Sequence, residues 1–297
     1  MISIFDYYGG GIAGTNTSMI DLLFFLRRLN IDVDYCVSYD GDNFRNLLID
    51  VRKNFYNGSL GDIVSKFIKT DLNNCHTVIT NFYTLRVSKV KIKCNTLIVF
   101  DSTCCLGYDE FPLTNVYADK ILLLGNPSSD KFNNIDFIEY YHKFSKERLE
   151  YLRTKLKSIS KVLVTTTDLG AETHCHVAQF KRYFNSGNLV NHCNLNRFKD
   201  NLSDRYPHEC ELFIYQRWYE IKPGLFVENI GKLIFEFNYF NKQVIYMNDN
   251  KSINDGLHHY LNLFGIDDNK TQPILISKKE IEDKLFYKQD DLILELL

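Results

Sequence analysis

The 297-residue sequence lacks any apolar run long enough to cross a bilayer, and it has no low-complexity linker and no internal repeat. The first apolar stretch is interrupted by Asp6 and by three glycines at positions 9–11, so it does not resemble a secretory leader. Eight cysteines without such a leader are typical of reduced thiols. We therefore expect a cytoplasmic protein without a membrane span.

The sequence also lacks a large excess of charge of either sign, because the formal net charge is only −2. This balance excludes a global attraction to nucleic acid but not a local basic groove. Walker loops, Ser-His-Asp groupings and deaminase patterns are absent. Histidine and cysteine cluster at residues 174–176, 192–193 and 208–210, but without the paired spacing of a zinc site, so we predict no metal.

The chain begins as a strand, a glycine loop, a helix and a second strand. Gly9, Gly11 and Gly14 match the G-x-G-x-x-G pattern of dinucleotide-binding folds, and Asp32 or Asp34 stands near the position of the ribose-binding acid. One interpretation is therefore a NAD-dependent oxidoreductase. A glycine loop serves any ligand that approaches the backbone closely, and it also forms turns needed only for packing.

Strands and helices alternate along the whole chain, and the pattern restarts near residue 160. We predict strands at 2–8 and 212–215. We predict helices at 44–55 and 62–72, or one broken helix over both, and further helices at 144–159 and 256–264, with a terminal helix over 274–297. A buried strand at 96–100 ends at Asp101. Because the carboxyl ends of such strands face the ligand in open α/β sheets, Asp101 is a candidate base for an acceptor hydroxyl. The alternative is that it only caps the next turn.

Residues 224–240 place Glu228 and Glu236 eight positions apart. Asn229 is a candidate helix N-cap, and apolar residues then recur at helical spacing. On one continuous helix the two carboxylates would lie about 80° apart around the axis and about 12 Å apart along it. This spacing suits two contacts along an elongated ligand. The alternative is an amphipathic surface helix with two solvated acids.

This stretch resembles the Glu-x7-Glu motif of retaining, nucleotide-sugar-dependent glycosyltransferases of the GT-B fold. The resemblance implies that Glu228 holds hydroxyls of the donor sugar and that Glu236 holds the ribose. The intervening helix start faces the diphosphate, in keeping with the positive end of a helix dipole. The implied backbone phosphate donors are Asn229, Ile230 and Gly231.

The first glycine loop, with Gly10, Gly11 and Thr15, is similar to the loop that lies beneath the donor in this family. The implied fold class is α/β, a GT-B fold of two Rossmann-like domains that face each other across a cleft. Residues 1–158 would form the acceptor-side domain and residues 159–297 the donor-side domain, with a terminal helix that crosses back.

Arg217 follows a predicted strand and is a candidate for the diphosphate, because its forked donors match phosphate geometry. The alternative is an interdomain salt bridge. Lys232 is a secondary candidate. The common family pattern supplies an Arg and a Lys after the first strand of the second domain, whereas this chain has threonines and an aspartate at 165–168. The resemblance implies no required metal or cofactor.

The implied reaction is transfer of a sugar, from a UDP-sugar or a related nucleotide-sugar, with retention of configuration. The chain also resembles phage-encoded glycosyltransferases, some of which modify hydroxymethylated bases in double-stranded DNA. For such an enzyme the compartment would be the host cytoplasm. Basic segments at 89–93, 146–157 and 181–182 would then line the duplex. A glycan, lipid or protein acceptor is the alternative, and a non-catalytic binding module is a further one.

Overall fold

The chain divides into two compact units, Met1–Arg148 with Leu285–Leu297, and Leu149–Lys284. A computed structural model describes them over part of the sequence. The described residues are 1–8, 14–39, 63–101, 105, 108–141, 144, 162–164, 189–191, 212–215, 217, 219–222, 225–228, 230–246, 253–286 and 290–297. The predicted boundary between 158 and 159, and the predicted helices at 44–55 and 144–159, lie essentially outside this part.

Parallel strands build the described part of the first unit. The strands are β1 (Ile2–Tyr8), β2 (Val33–Tyr39), β3 (Lys66–Ile68), β4 (Asp71–Asn81), β5 (Lys91–Phe100), β6 (Val116–Gly125) and β7 (Asp136–Glu139). Helix α1 (Gly14–Arg28) follows β1, helix α2 (Phe82–Val87) follows β4, and a 3₁₀ turn (Pro127–Ser129) follows β6.

These strands form a seven-stranded sheet in the order β3-β2-β1-β4-β5-β6-β7, and every neighbouring pair is parallel. The predicted α/β class is confirmed for this unit. The order reverses between β1 and β4, and such a switch point opens a crevice at the carboxyl ends of the strands. The carboxyl halves of β5 and β6 are buried apolar runs, as expected for a sheet covered on both faces.

The buried carboxylate of Asp6 connects the elements that border this crevice. Asp6 lies near the end of β1 and is 1% exposed. One of its oxygens accepts from Asn16 Nδ2 at 2.9 Å and from the Tyr35 hydroxyl at 2.7 Å. The other accepts from the Tyr7 N–H, Asn81 and Thr84. Asp6 thereby joins β1 to the starts of α1 and α2. In sequence, β1 and α1 stand on either side of the glycine loop.

The second unit contains a five-stranded sheet in its described part. Its strands are β8 (Val162–Val164), β9 (Leu189–Asn191), β10 (Leu212–Tyr215), β13 (Gln243–Tyr246) and β14 (Gln272–Ile274), and β11 (Tyr219–Lys222) with β12 (Leu225–Val227) forms a separate antiparallel ribbon. The helices are α3 (Lys232–Tyr239), α4 (Gly256–Leu263) and α5 (Lys278–Ile281). A π-helical turn (Glu282–Phe286) follows α5, and its last two residues belong to the first unit.

The spatial order of this sheet is β14-β13-β10-β8-β9, with only β14 antiparallel to its neighbour. In chain order this is the 2-1-3-4-5 arrangement of doubly wound folds. β10 and β13 run in the same direction, and their last residues, Tyr215 and Tyr246, are partners in register. Side chains that follow these two strands are therefore brought to one edge of the sheet.

Two sequence predictions in these regions need correction. The predicted helix at 62–72 is instead the short strand β3 and the start of β4, because a parallel edge strand at 66–68 takes its partner from the distant β2. The predicted terminal helix over 274–297 is confirmed only in part, because Ile274 ends β14 and the helical residues are those of α5, the π-helical turn and a last helix, α6 (Asp290–Leu296). A capping box between Ser277 and Glu280 starts α5. Within the described residues, no helix combines the length and apolar character that crossing a bilayer requires.

The pKa of Asp6 gives a testable pH dependence. Burial raises this pKa above its ordinary value and outweighs the hydrogen bonds that lower it. The folded state therefore binds the proton more tightly than the unfolded chain, and acidification adds stability. We predict that the free energy of unfolding of the wild type, relative to Asp6→Asn, increases as the pH falls toward about 4. Urea unfolding of both proteins between pH 4 and 7 measures this, and a difference that shrinks on acidification would contradict it.

Candidate active site in the second unit

Glu228 lies directly after β12, and its half-buried side chain is held by a buried tyrosine. The Tyr215 hydroxyl donates to Glu228 Oε2 at 2.5 Å. Burial, and then the charge of Glu228, raise the pKa of Tyr215 well above its ordinary value. Tyr215 therefore keeps its proton and acts as a donor to the carboxylate. Sequence reasoning missed this residue.

The backbone of Glu228 is held by Asp255, which is fully buried and is the N-cap of α4. The Glu228 N–H donates to Asp255 Oδ2 at 2.8 Å, and the His258 N–H donates to Asp255 Oδ1 at 3.0 Å. In return, the Leu257 N–H donates to the Glu228 carbonyl at 3.0 Å. The start of α4 thus fixes the peptide on both sides of the Glu228 Cα.

Arg217 is buried at 3% exposure, and its guanidinium binds Asp255 through both arms of a fork. Nε lies 2.6 Å from Asp255 Oδ2 and Nη2 lies 2.9 Å from Asp255 Oδ1. Nη2 also donates to Asp268, and Nη1 donates to the Tyr246 hydroxyl. Burial alone would lower the pKa of Arg217, but the hydrogen bonds and charge of Asp255 raise it, so the group stays charged. The salt bridge lies within the second unit, and a direct phosphate contact by Arg217 stays a prediction.

The network continues toward the surface through Asp268. The second oxygen of Asp268 lies 3.0 Å from His258 Nδ1, and His258 Nε2 lies 2.9 Å from Asn262 Nδ2. Asp255 and Asp268 are both at most 1% exposed, so Arg217 provides their main neutralising charge among the described residues. Sequence reasoning missed Asp255, although an aspartate directly before the helical pattern at 256–264 is a capping signal.

Helix α3 begins later than predicted. Its N-cap is Gly231 in the left-handed conformation (φ 62°), without a side-chain cap, and Lys232 opens the helix. The predicted separation of about 12 Å between the two carboxylates assumed one continuous helix and does not apply, since Glu228 precedes α3. A Cβ on Gly231 would lie 2.7 Å from a methyl group of Leu257 and 3.4 Å from the Tyr215 hydroxyl. Glycine therefore lets the start of α3 approach the start of α4 and Tyr215.

Helix α3 is buried on nearly every side, so the interpretation as a surface helix with solvated acids is wrong for Glu236. This residue is 2% exposed and Lys232, one turn earlier, is 9% exposed. Ile230 is also buried, at 6% exposure, and Ile234, Phe235 and Phe237 are fully enclosed. The burial of Lys232 and Glu236 shows that neither is a solvated surface group, and their contact with a donor stays a prediction.

In the first unit, Asp101 follows β5 and is 1% exposed. Its Oδ2 accepts from the Ser129 hydroxyl at 2.5 Å. A Cβ on Gly125 would lie 2.5 Å from Ser129 Oγ and 3.0 Å from Asp101 Cβ, so glycine at the end of β6 permits this contact. The carboxylate thus lies at the carboxyl edge of the first sheet, as its position after a strand predicted.

The remaining predicted donor residues are only partly described. Thr15 lies in the first turn of α1, whereas Gly10, Gly11 and Asn229 lie outside the described residues, as do the histidine and cysteine cluster and the basic segments at 146–157 and 181–182. Asp34 is paired with Lys66 at 2.5 Å. It lies at the amino end of β2, about 16 Å along the strand from the carboxyl edge, which is the wrong end for a ribose-binding acid.

Comparison with known proteins gives little further information. No protein-family model matches the chain, and no curated protein matches it in sequence. A solved glycosyltransferase from Rickettsia africae ESF-5 is similar over 99% of this chain and 98% of its own, with 11% identity and a TM-score of 0.43. At these values the likeness supports no argument about function.

Two glycines with the same backbone conformation test the packing at the start of α3. Gly231 and Gly265 have φ of 62° and 69°, but a Cβ on Gly265 would meet nothing within 4 Å. We predict that Gly265→Ala costs about 1 kcal/mol of unfolding free energy from the left-handed backbone alone. Gly231→Ala should cost about 2–4 kcal/mol, because overpacking against Leu257 adds to this strain. Urea unfolding measures both, and equal costs would show that the contact with Leu257 is unimportant.

Proposed function

We propose that the protein is a retaining glycosyltransferase of the GT-B fold, which transfers a sugar from a nucleotide-sugar donor to an acceptor hydroxyl. The observation that carries the proposal is the fixed carboxylate of Glu228, placed four residues before an uncapped helix start that carries the buried Lys232 and Glu236. The spacing of the two glutamates matches the Glu-x7-Glu motif, and their burial supports a role beyond solvation.

In this proposal the donor lies along residues 228–236. Glu228 accepts hydrogen bonds from sugar hydroxyls, and Glu236 accepts from the ribose. The N–H groups at the start of α3, with Lys232, bind the diphosphate. A lysine in the first turn opposes the positive end of the helix dipole, and a bound anion offsets both. The same groups would stabilise the negative charge of the departing nucleoside diphosphate, and such electrostatic stabilisation generally contributes most to catalysis at sites of this kind.

For the acceptor, we propose that the Asp101 carboxylate, oriented by Ser129, accepts a hydrogen bond from the acceptor hydroxyl and acts as its base. A hydroxymethylated base of double-stranded DNA is one acceptor class, but it rests on the sequence resemblance alone. Lys89, Lys91 and Lys93 are exposed, yet Lys91 lies at the amino end of β5, about 30 Å along the strand from Asp101. These lysines therefore do not favour DNA over a glycan, lipid or protein acceptor.

A NAD-dependent oxidoreductase is the second candidate, and the strand order of the first sheet favours it, since β3-β2-β1-β4-β5-β6 is an order found in dinucleotide-binding folds. The position of Asp34 is unfavourable. The acid that follows the carboxyl end of β2 in sequence is Asp40, outside the described residues. This candidate predicts NAD(H) binding that depends on Asp40 and is indifferent to Glu228.

A screen of nucleotide-sugars distinguishes the candidates. We predict that a UDP- or GDP-sugar raises the melting temperature of the wild type and is slowly hydrolysed. Glu228→Gln and Glu236→Gln should each lower this turnover about 10- to 100-fold, the effect of losing a hydrogen bond to a charged group. Glu110→Gln, the same change at an exposed position, is the matched control and should behave as the wild type.

The opposite result would be stabilisation by NAD(H) alone, with Glu228→Gln indistinguishable from the wild type and Asp40→Asn impaired. That outcome would replace the glycosyltransferase by the oxidoreductase. Stabilisation by a nucleotide-sugar without turnover, in the presence of hydroxymethylated DNA and of glycan acceptors, would favour a non-catalytic binding module.

A further inference from the structure

Tyr215 contacts the carboxylate of Glu228, and Arg217 reaches the Glu228 backbone through Asp255. These contacts indicate a role for Tyr215 and Arg217 other than direct contact with the donor. We propose that Tyr215 and Arg217 are positioning residues: Tyr215 orients the Glu228 carboxylate, and Arg217 orients the Glu228 backbone through Asp255. This inference rests on the proposed function, because it concerns the residue assigned there to the donor sugar.

Asp255 distributes its hydrogen bonds symmetrically. Each of its two oxygens accepts one N–H of the Arg217 fork and one backbone N–H, that of Glu228 at Oδ2 and that of His258 at Oδ1. Rotation of the carboxylate would disturb all four contacts. The planar fork of Arg217 therefore fixes the plane in which Asp255 receives the Glu228 N–H.

The other contacts of Arg217 hold the guanidinium in that plane. Asp268 accepts a hydrogen bond from Nη2, and the Tyr246 hydroxyl accepts one from Nη1. Arg217, Asp268 and Tyr246 are all buried. Lysine at position 217 would keep the charge but not the fork, because a single ammonium cannot reproduce two parallel hydrogen bonds. Arg217→Lys is thus a conservative variant that separates charge from orientation.

Tyr215 contacts the side chain of Glu228, whereas Asp255 contacts its backbone. The Tyr215 hydroxyl is bonded to the carboxylate at 2.5 Å, and it also lies 3.4 Å from the position of a Cβ on Gly231. It is therefore adjacent both to the carboxylate assigned to the sugar and to the helix start assigned to the diphosphate. Loss of the hydroxyl should change the orientation of Glu228 without removing its charge.

Hydrogen exchange of the protein without ligand tests Arg217 independently of any donor. We expect Arg217→Lys to accelerate exchange of the Glu228 and His258 amides at least about tenfold. Amides of β1 in the first unit should be unchanged. Unchanged exchange at Glu228 would overturn the positioning role. An unchanged rate combined with loss of UDP binding would assign Arg217 to the phosphates instead.

Kinetics with UDP-glucose as donor probe and UDP as nucleotide probe test Tyr215. We expect Tyr215→Phe to lower kcat about tenfold, with a smaller change in KM and an unchanged Kd for UDP. Tyr239→Phe is the matched control, because Tyr239 is equally buried in the same unit but its hydroxyl faces Glu282, 3.5 Å away. Equal effects of the two variants, or loss of UDP binding in Tyr215→Phe, would overturn the role of Tyr215.

Failure of the proposed function would be seen separately. A wild type that turns over no nucleotide-sugar contradicts the glycosyltransferase, whereas the exchange experiment still decides whether Arg217 positions the Glu228 peptide.

Discussion

The hydrogen bonds of Asp255 are the constraint on which the candidate site depends. This carboxylate caps α4, receives the backbone of Glu228 and binds Arg217, and it is fully buried. A buried carboxylate is tolerated only when its oxygens are satisfied and its charge is neutralised. Arg217 contributes to both, because it donates to each oxygen and carries the opposite charge. Asp255 therefore links the start of α4, Arg217 beyond the end of β10, and Glu228 after the β11–β12 ribbon.

Parallel sheets explain why candidate residues occur at strand ends in both units. Asp6 and Asp101 in the first unit, and Tyr215 and Arg217 in the second, lie at or just beyond the carboxyl ends of strands. The carboxyl halves of β5 and β6 are buried and apolar, so a polar group such as Asp101 lies at the edge beyond them. In each unit the group is fixed by contacts from neighbouring elements, as the bonds of Asp6 to α1 and α2 illustrate.

The sequence predicted elements with strong local patterns. Strands Ile2–Tyr8 and Leu212–Tyr215 match their predicted bounds, and the predicted helix at 256–264 is α4 within one residue. The edge strand at 66–68 was missed because its partner, β2, is distant in sequence and its three residues carry no periodicity. Asp268 could not be predicted as a partner of Arg217, since 51 residues separate them and only the fold brings them together. The start of α3 was misplaced because a left-handed glycine replaced the side-chain cap expected at Asn229.

A crystal structure of the protein with a bound nucleotide-sugar would test the central claim most directly. The glycosyltransferase account predicts sugar hydroxyls within hydrogen-bonding distance of the Glu228 carboxylate, the diphosphate at the start of α3, and the ribose beside Glu236. A nucleotide bound instead at the β1–β4 switch point of the first sheet, next to Asp6 and without contact to Glu228 or Glu236, would contradict the account and would assign the chemistry to the first unit.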